Sequence, residues 1–176
     1  MVGLWIFVMA AILISQRLLE LYIAKNHYAW MMSGGAQEFG REHYRLFFIL
    51  HTSWFIGWIA EGSSLGHLHK LWYVWLGLFA AAQILRYWCI ASLGQYWNTR
   101  ILVIPGRQRI SKGPYRFIKH PNYLAVAIEL VAVPLVFNAW ITAMIATLLN
   151  AVLLLGIRIP AEEKALRAYP GNEDGS

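Results

Sequence analysis

The amino-acid sequence predicts an all-α integral membrane protein with about five transmembrane helices, closing in a C-terminal helical hairpin and a short cytosolic C-terminal helix. Three observations predict this. Of the 176 residues, 59% are hydrophobic and only 14% are charged, more apolar sequence than a soluble core of this size needs. Several apolar runs approach the roughly 20 residues that a spanning helix requires. Nine Trp and nine Tyr supply anchors for two membrane–water interfaces. No internal repeat or break in composition marks a second domain. The chain therefore reads as a single membrane-embedded domain, 1–176, with a core at 71–168 and a tail at 169–176 expected to be disordered.

The first run, about Val2 to Ile23, is a spanning helix. It is too long for a cleaved signal peptide and carries Arg17 and Glu20, which at a spacing of three share one helix face. A polar loop is expected from Lys25 to His43, with Gly34–Gly35 as the breaker. The second run, about Tyr44 to Ala60, contains His51. The third, about Leu71 to Leu93, contains Gln83 and Arg86. A basic segment opens at Gly94, and Ile101–Ile104 before Pro105–Gly106 reads as a short extended piece and a turn, in the manner of a small local hairpin. The fourth run, about Asn122 to Phe137, holds Glu129 and Pro134. Asn138 turns the chain into the fifth, about Trp140 to Ile159. A short helical piece around Glu162 to Ala168 follows.

The formal net charge is +6 and the sequence pI is about 9.6. The cations sit in loops between apolar runs, so membrane topology accounts for them better than nucleic acid does. With five spans, Lys25, Arg41, Arg45, Arg100, Arg107, Arg109, Lys112, Arg116, Lys119, Lys164 and Arg167 share one side, and Lys70 falls opposite. The positive-inside rule then places the N-terminus outside and the C-terminus in the cytosol.

Arg17, His51, Arg86 and Glu129 each lie about two helical turns from the cytosolic end of their own helix, on the order of 10 Å inside at about 1.5 Å per residue. Charges at that depth face a bundle interior or a wet cavity. A common cavity open to the cytosol is one reading. Snorkelling arginines and a hydrogen-bonded packing histidine are the other. A glutamate is too short to snorkel, so Glu129 is expected to pair with Arg86 or Arg17.

One stretch, Gly113–Tyr123, closes the basic segment and leads into the fourth run. Pro114 and Pro121 bias Gly113 and His120 away from helix, and Pro121 suits the first position of one. The free N–H groups that follow can meet an acceptor or an anion. The plain alternative is a proline-started helix beside snorkelling cations. Neither a Ser/His/Asp order, nor HExxH, nor a phosphate-cradling glycine loop is present. Cys89 stands alone, which excludes an internal disulfide and a Cys-based zinc site, and no metal is expected.

Gly113-Pro114-Tyr115-Arg116 followed by Lys119-His120-Pro121-Asn122-Tyr123 resembles the Arg-His-Pro-x-Tyr signature of isoprenylcysteine carboxyl methyltransferases. Arg158-Ile159 before Glu162-Glu163 is similar to that family's Arg-Ile-x-x-Glu-Glu signature, and Leu93-Gly94 and Trp97 are similar too. Arg17-Leu18-Leu19-Glu20 and Gly40-Arg41-Glu42-His43-Tyr44 look like the bacterial branch, some members of which methylate alkylpyrones or phenolic lipids. The resemblance implies a membrane O-methyltransferase that uses S-adenosylmethionine and a lipophilic carboxylate or acidic enol entering from the bilayer. It implies that His120, Pro121, Asn122, Tyr123, Tyr115 and Arg116 form a cofactor wall, and that Glu162 or Glu163 binds the cofactor's amino or ribose groups. Arg158 would steady the acceptor anion, and Glu129 would order Arg86 or Arg158. The chain departs from the family's pattern in stopping soon after Glu-Glu, which bears on how the cofactor pocket is closed. The alternatives are a sterol- or steroid-type membrane reductase with a nicotinamide dinucleotide, and a haem-binding or transport subunit. Oligomeric state is not readable.

Overall fold

The computed structural model describes residues 2–107 and 110–169. Arg109, counted above among the inner-face cations, and the tail residues 170–176 lie outside the described residues. Among the described residues six α-helices follow one another: α1 Val2–Ser33, α2 Tyr44–Leu65, α3 Trp72–Leu93, α4 Pro121–Val136, α5 Trp140–Leu153 and α6 Ile159–Ala168. Three helical stretches among the described residues, Val2–Ser33, Trp72–Tyr96 and Trp140–Ala168, are long and apolar enough to cross a membrane. The helix α4 is apolar but shorter, and α2 has the length but carries more polar residues. Large apolar side chains face outward all round, among them Phe7, Leu18, Phe48, Ile56, Ile84 and Val152. Such a surface suits hydrocarbon and not water. The protein is an all-α integral membrane protein.

The helix α1 overruns the expected loop by ten residues' worth of polar sequence, ending at Ser33 and not near Ile23. Tertiary partners sustain it. Asn98 Nδ2 donates to Ala24 O at 2.8 Å, and His27 Nδ1 sits 2.8 Å from Trp97 O. The glycines still stop it: Gly35 has φ 81°, in the left-handed region that ends a helix.

The local hairpin is also corrected. Ile101–Val103 forms strand β2, but its partner is β1, Gln37–Phe39, in antiparallel register Gln37↔Val103 and Phe39↔Ile101. This small sheet staples the end of α1 to the segment after α3. Arg100 completes the staple with an ion pair to Glu38, its guanidinium lying 5.5 Å from the Tyr28 ring centroid and 5.0 Å from that of Tyr44. The helix α6 lies on the sheet, burying Ala165 against Ile101 and Val103. Tyr169 packs on Phe39 and donates its hydroxyl hydrogen to Gln37 Oε1 at 2.6 Å.

The bundle core fills the end away from the sheet. Trp58 is fully buried and stacks on Phe137 with centroids 5.1 Å apart. A Cβ on Gly62 would come within 2.8 Å of Phe137 Cβ, so glycine is what lets α2 approach the α4–α5 turn. Pro134 removes a backbone donor from α4, which frees the carbonyl of Leu130; Trp54 Nε1 donates to that oxygen at 3.1 Å. Glu61 of α2 caps α5, accepting from the backbone N–H of Ile141 at 3.0 Å and of Thr142 at 2.9 Å. Asn138 makes the intervening turn with φ 59°.

The fifth run continues into α6 through a π-turn, Leu154–Arg158, in place of a break before a separate short helix. Pro160 explains it. In an α-helix its ring would clash with the carbonyl of Gly156 and its nitrogen could not donate. One wider turn relieves both and rotates Arg158 to face inward. Such turns recur at functional sites.

Candidate active site

At the sheet end the helices enclose a cavity of about 760 Å³, within the range of small-molecule sites. Its walls differ in character. One is polar and built from Tyr115, His120, Asn122, Tyr123, Arg158 and Glu162. The other is apolar, lined by Ile14, Leu18 and Leu21 of α1 and by Phe47, Phe48 and Phe55 of α2. Leu18 and Phe48 are 63% and 68% exposed, so this wall continues onto the lipid-facing surface.

Arg17, His51, Arg86 and Glu129 all line this one cavity. Beneath it lies a buried charge network. Arg86 is 1% exposed, with Glu20 at 1% and Glu129 at 3%. Its Nη1 donates to both Glu20 oxygens, at 3.0 and 3.2 Å, and its Nη2 pairs with Glu129 Oε2. Arg17 donates to Glu20 Oε2 at 2.8 Å and lies 3.8 Å from Glu129 Oε1. Gln16 donates to Glu20 at 3.0 Å, Gln83 donates to Glu129 at 3.1 Å, and the two amides bond each other. Two guanidiniums face two carboxylates, so the group carries no net charge, and three of the four carboxylate oxygens accept hydrogen bonds. That is the condition under which ions are tolerated away from water.

Glu129 thus pairs with both arginines named for it in the sequence. It does not order Arg158, which stands elsewhere with partners of its own. Arg158 Nη2 donates to Thr99 O at 2.9 Å and Nε to the Tyr123 hydroxyl at 3.1 Å. The Tyr123 hydroxyl donates in turn to Glu162 Oε2. His120 stacks on Tyr123 at 5.4 Å between centroids and 18° between planes. Its Nδ1 is 3.8 Å from Glu162 Oε1, and its Nε2 is 3.8 Å from Glu163 Oε1. These distances are too long for hydrogen bonds. Nε2 of His120 and Oδ1 of Asn150 are buried with no hydrogen-bond partner among the described residues, and both residues are on the cavity wall.

The segment Gly113–Arg116 forms one 3₁₀ turn that holds Tyr115 at the cavity. Gly113 has φ 56°, and a Cβ there would stand 2.0 Å from Ser92 Oγ and 2.9 Å from Trp88 Nε1 of α3. Burial, with the Cys89 thiol beside it, pushes the Tyr115 hydroxyl above the usual tyrosine range, so it stays a neutral donor. Arg116, assigned to the same wall from the motif, is exposed and turns away over Phe117, 5.9 Å from the ring centroid. It is not among the cavity residues, and neither is Glu163, which pairs with Arg167 at 3.6 Å. Pro121 is buried and opens α4 without reaching the cavity.

Glu20, Gln16, Gln83, Thr99 and Asn150 were not singled out as site residues. The spacing of four between Gln16 and Glu20 was a usable signal; nothing local marks Thr99, which acts through its carbonyl.

The family model of the isoprenylcysteine carboxyl methyltransferases matches residues 75–168. The chain belongs to this family. The matched stretch of the isoprenylcysteine carboxyl methyltransferase fold carries Arg86, the Gly113–Tyr123 segment, Glu129, Arg158 and Glu162, whereas Gln16, Arg17, Glu20 and His51 precede it. The chain is 42% identical over 168 residues to the uncharacterized protein YpbQ of Bacillus subtilis, covering 94% of this chain and 97% of that one. It is 25% identical over 165 residues to an uncharacterized protein of Haemophilus influenzae, covering 93% and 95%. No solved structure matches it. Membership in the isoprenylcysteine carboxyl methyltransferase family makes it a membrane methyltransferase.

Proposed function

We propose that the protein transfers a methyl group from S-adenosylmethionine to an acidic oxygen of a lipophilic acceptor, at the inner face of a bacterial plasma membrane with the N-terminus outside. The observation that carries this is the chain of hydrogen bonds from Arg158 through Tyr123 to Glu162, set where the polar and apolar walls meet. A hydrophilic, cationic donor and a lipid acceptor need such a junction.

The polar wall suits the donor. The unpartnered His120 Nε2 and Asn150 Oδ1 call for a ligand's polar atoms. Glu162 offers a carboxylate to an amino group or to ribose hydroxyls, and the rings of Tyr115 and Tyr123 attract a cation. The bound donor supplies a methyl group already activated on a sulfonium. The protein's task is then to align donor and acceptor and to keep water out. Arg158, buried and held at two of its nitrogens, stabilises negative charge on the acceptor oxygen. The apolar wall between α1 and α2 admits an alkyl chain from the bilayer. The cation-rich loops at the cavity end favour the cytosolic side for it. The N-terminal motifs, seen as bacterial-branch features, favour an enol or phenol over a prenylcysteine carboxylate.

Calorimetric titration of the detergent-purified protein with S-adenosylmethionine tests the reading. Saturable binding is expected. Heat no larger than that of a denatured control overturns it.

A further inference from the structure

We infer that His51 is the general base that takes the proton from the acceptor's hydroxyl, and that the acceptor is a hydroxylated lipid ring, enol or phenol, which arrives neutral. The inference rests on the methyl-transfer reading above and adds to it a catalytic residue and the protonation state in which the acceptor arrives.

His51 lies on α2, outside the segment matched to the family. Its Nδ1 is 2.7 Å from the carbonyl oxygen of Phe47. A carbonyl only accepts, so the hydrogen is on Nδ1 and Nε2 of the neutral ring carries a lone pair. The ring is on the cavity wall, and Nε2 has no protein partner among the described residues. The Phe47 ring, one turn earlier, lies under the Arg158 guanidinium at 5.9 Å. Phe47 thus touches both groups, its backbone carbonyl holding the base and its ring lying under the anion-stabilising cation. Arg17 from α1, Arg86 from α3, Glu129 from α4 and Arg158 from the π-turn are among the charged groups that line the cavity with His51. The first three belong to the neutral network, whereas Arg158 donates only to the neutral oxygens of Tyr123 and Thr99 and so has charge to offer an oxygen anion.

An acceptor that enters from hydrocarbon arrives protonated, because an ionised oxygen is costly there. Even an acidic enol must then lose its proton inside the cavity. The O–H bond breaks with its electron pair left on oxygen, and the proton goes to His51 Nε2. The oxygen–methyl bond forms as the donor's methyl–sulfur bond breaks, its pair staying on sulfur. The imidazolium proton leaves later to water at the open end.

The test uses 2-dodecyl-4-nitrophenol, whose phenolate absorbs at longer wavelength than the phenol, bound in detergent without methyl donor. Wild-type protein is expected to show the phenolate band at a pH where micelles alone hold the phenol, and His51→Asn, which keeps a donor for the Phe47 carbonyl, to show the phenol. In transfer assays His51→Asn is expected to lower kcat roughly a hundredfold for a 5-alkylresorcinol and less for a more acidic hydroxypyrone with the same tail. Calorimetric binding of the donor reports that the variant is folded; His51→Gln is read in its place if that binding is lost. Equal ionisation of the probe by wild type and variant, or a slowing independent of acceptor acidity, overturns the inference. Failure of wild-type protein to methylate any acceptor counts against the methyl-transfer reading instead, and the probe spectrum still decides the role of His51.

Discussion

Arg86 stands between Glu20 and Glu129, bonded to the first at 3.0 Å and paired with the second. One guanidinium thereby ties α1 to α3 and α4. Removing it would leave two carboxylates with little beyond Arg17 to offset them. Arg86→Met should destabilise the protein by about 3–5 kcal/mol, the usual cost of breaking a buried pair. The triple change with Glu20→Gln and Glu129→Gln should recover much of that, since amides carry no charge to strand. Thermal unfolding in detergent measures both; a loss below about 1 kcal/mol for the single variant contradicts the assignment.

Gly113 is needed for space and for backbone shape. Gly113→Ala forces an L-residue into the left-handed region, at roughly 1–2 kcal/mol, and drives a methyl group into Ser92. Loss of affinity for the methyl donor is expected, because the turn carrying Tyr115 must shift. Adding Ser92→Gly removes the contact with Ser92 but neither that with Trp88 nor the strain, so affinity should return only in part. Full donor affinity in Gly113→Ala, measured by calorimetry, would contradict this account of the turn.

Much of this architecture was legible from the chain alone, and the misses share a cause. Apolar runs marked the bundle helices, because hydrocarbon leaves a helix few alternatives. The end of α1 was misplaced because Lys25, Asn26 and His27 read as loop, while partners some 70 residues away, Trp97 and Asn98, hold that stretch helical. Strand β2 was assigned a local hairpin partner because Pro105–Gly106 looks like its turn, yet the true partner β1 lies far upstream. In the site, Glu129 was recognisable as a buried carboxylate in need of a cation. That Arg86 would serve Glu20 as well depends on how α1 is rotated, and an almost uniformly apolar helix gives no periodicity from which to read rotation. Arg116 followed its motif neighbours in the reading but faces outward, since a 3₁₀ turn places successive side chains on different sides.

Tyr123→Phe deletes the hydroxyl that links Arg158 to Glu162. Bonds to charged partners are worth about 1.5–3 kcal/mol each, so kcat/KM should fall by one to two orders of magnitude with folding intact. Arg158→Ala should act mainly on kcat, because it stabilises charge that develops during transfer. Glu162→Ala should weaken donor binding. Steady-state kinetics with calorimetry separates the three; equal effects on binding from all of them would argue against distinct roles.

Glu61 serves stability at the opposite end. Glu61→Ala removes acceptors from two N–H groups of the first turn of α5 and should cost about 0.5–2 kcal/mol, seen as a lowered Tm. Donor affinity at 25 °C should be unaltered, because the cap is remote from the cavity. A large loss of affinity would show that the two ends are coupled.

The central claim is that the polar side chains of separate helices meet in one chamber where a soluble methyl donor reaches a lipid. Transfer of radiolabelled methyl from S-adenosylmethionine into a bacterial lipid extract tests it most directly. The account predicts label in the organic phase with wild-type protein and much less with Tyr123→Phe. Label no higher than with heat-denatured protein would contradict it.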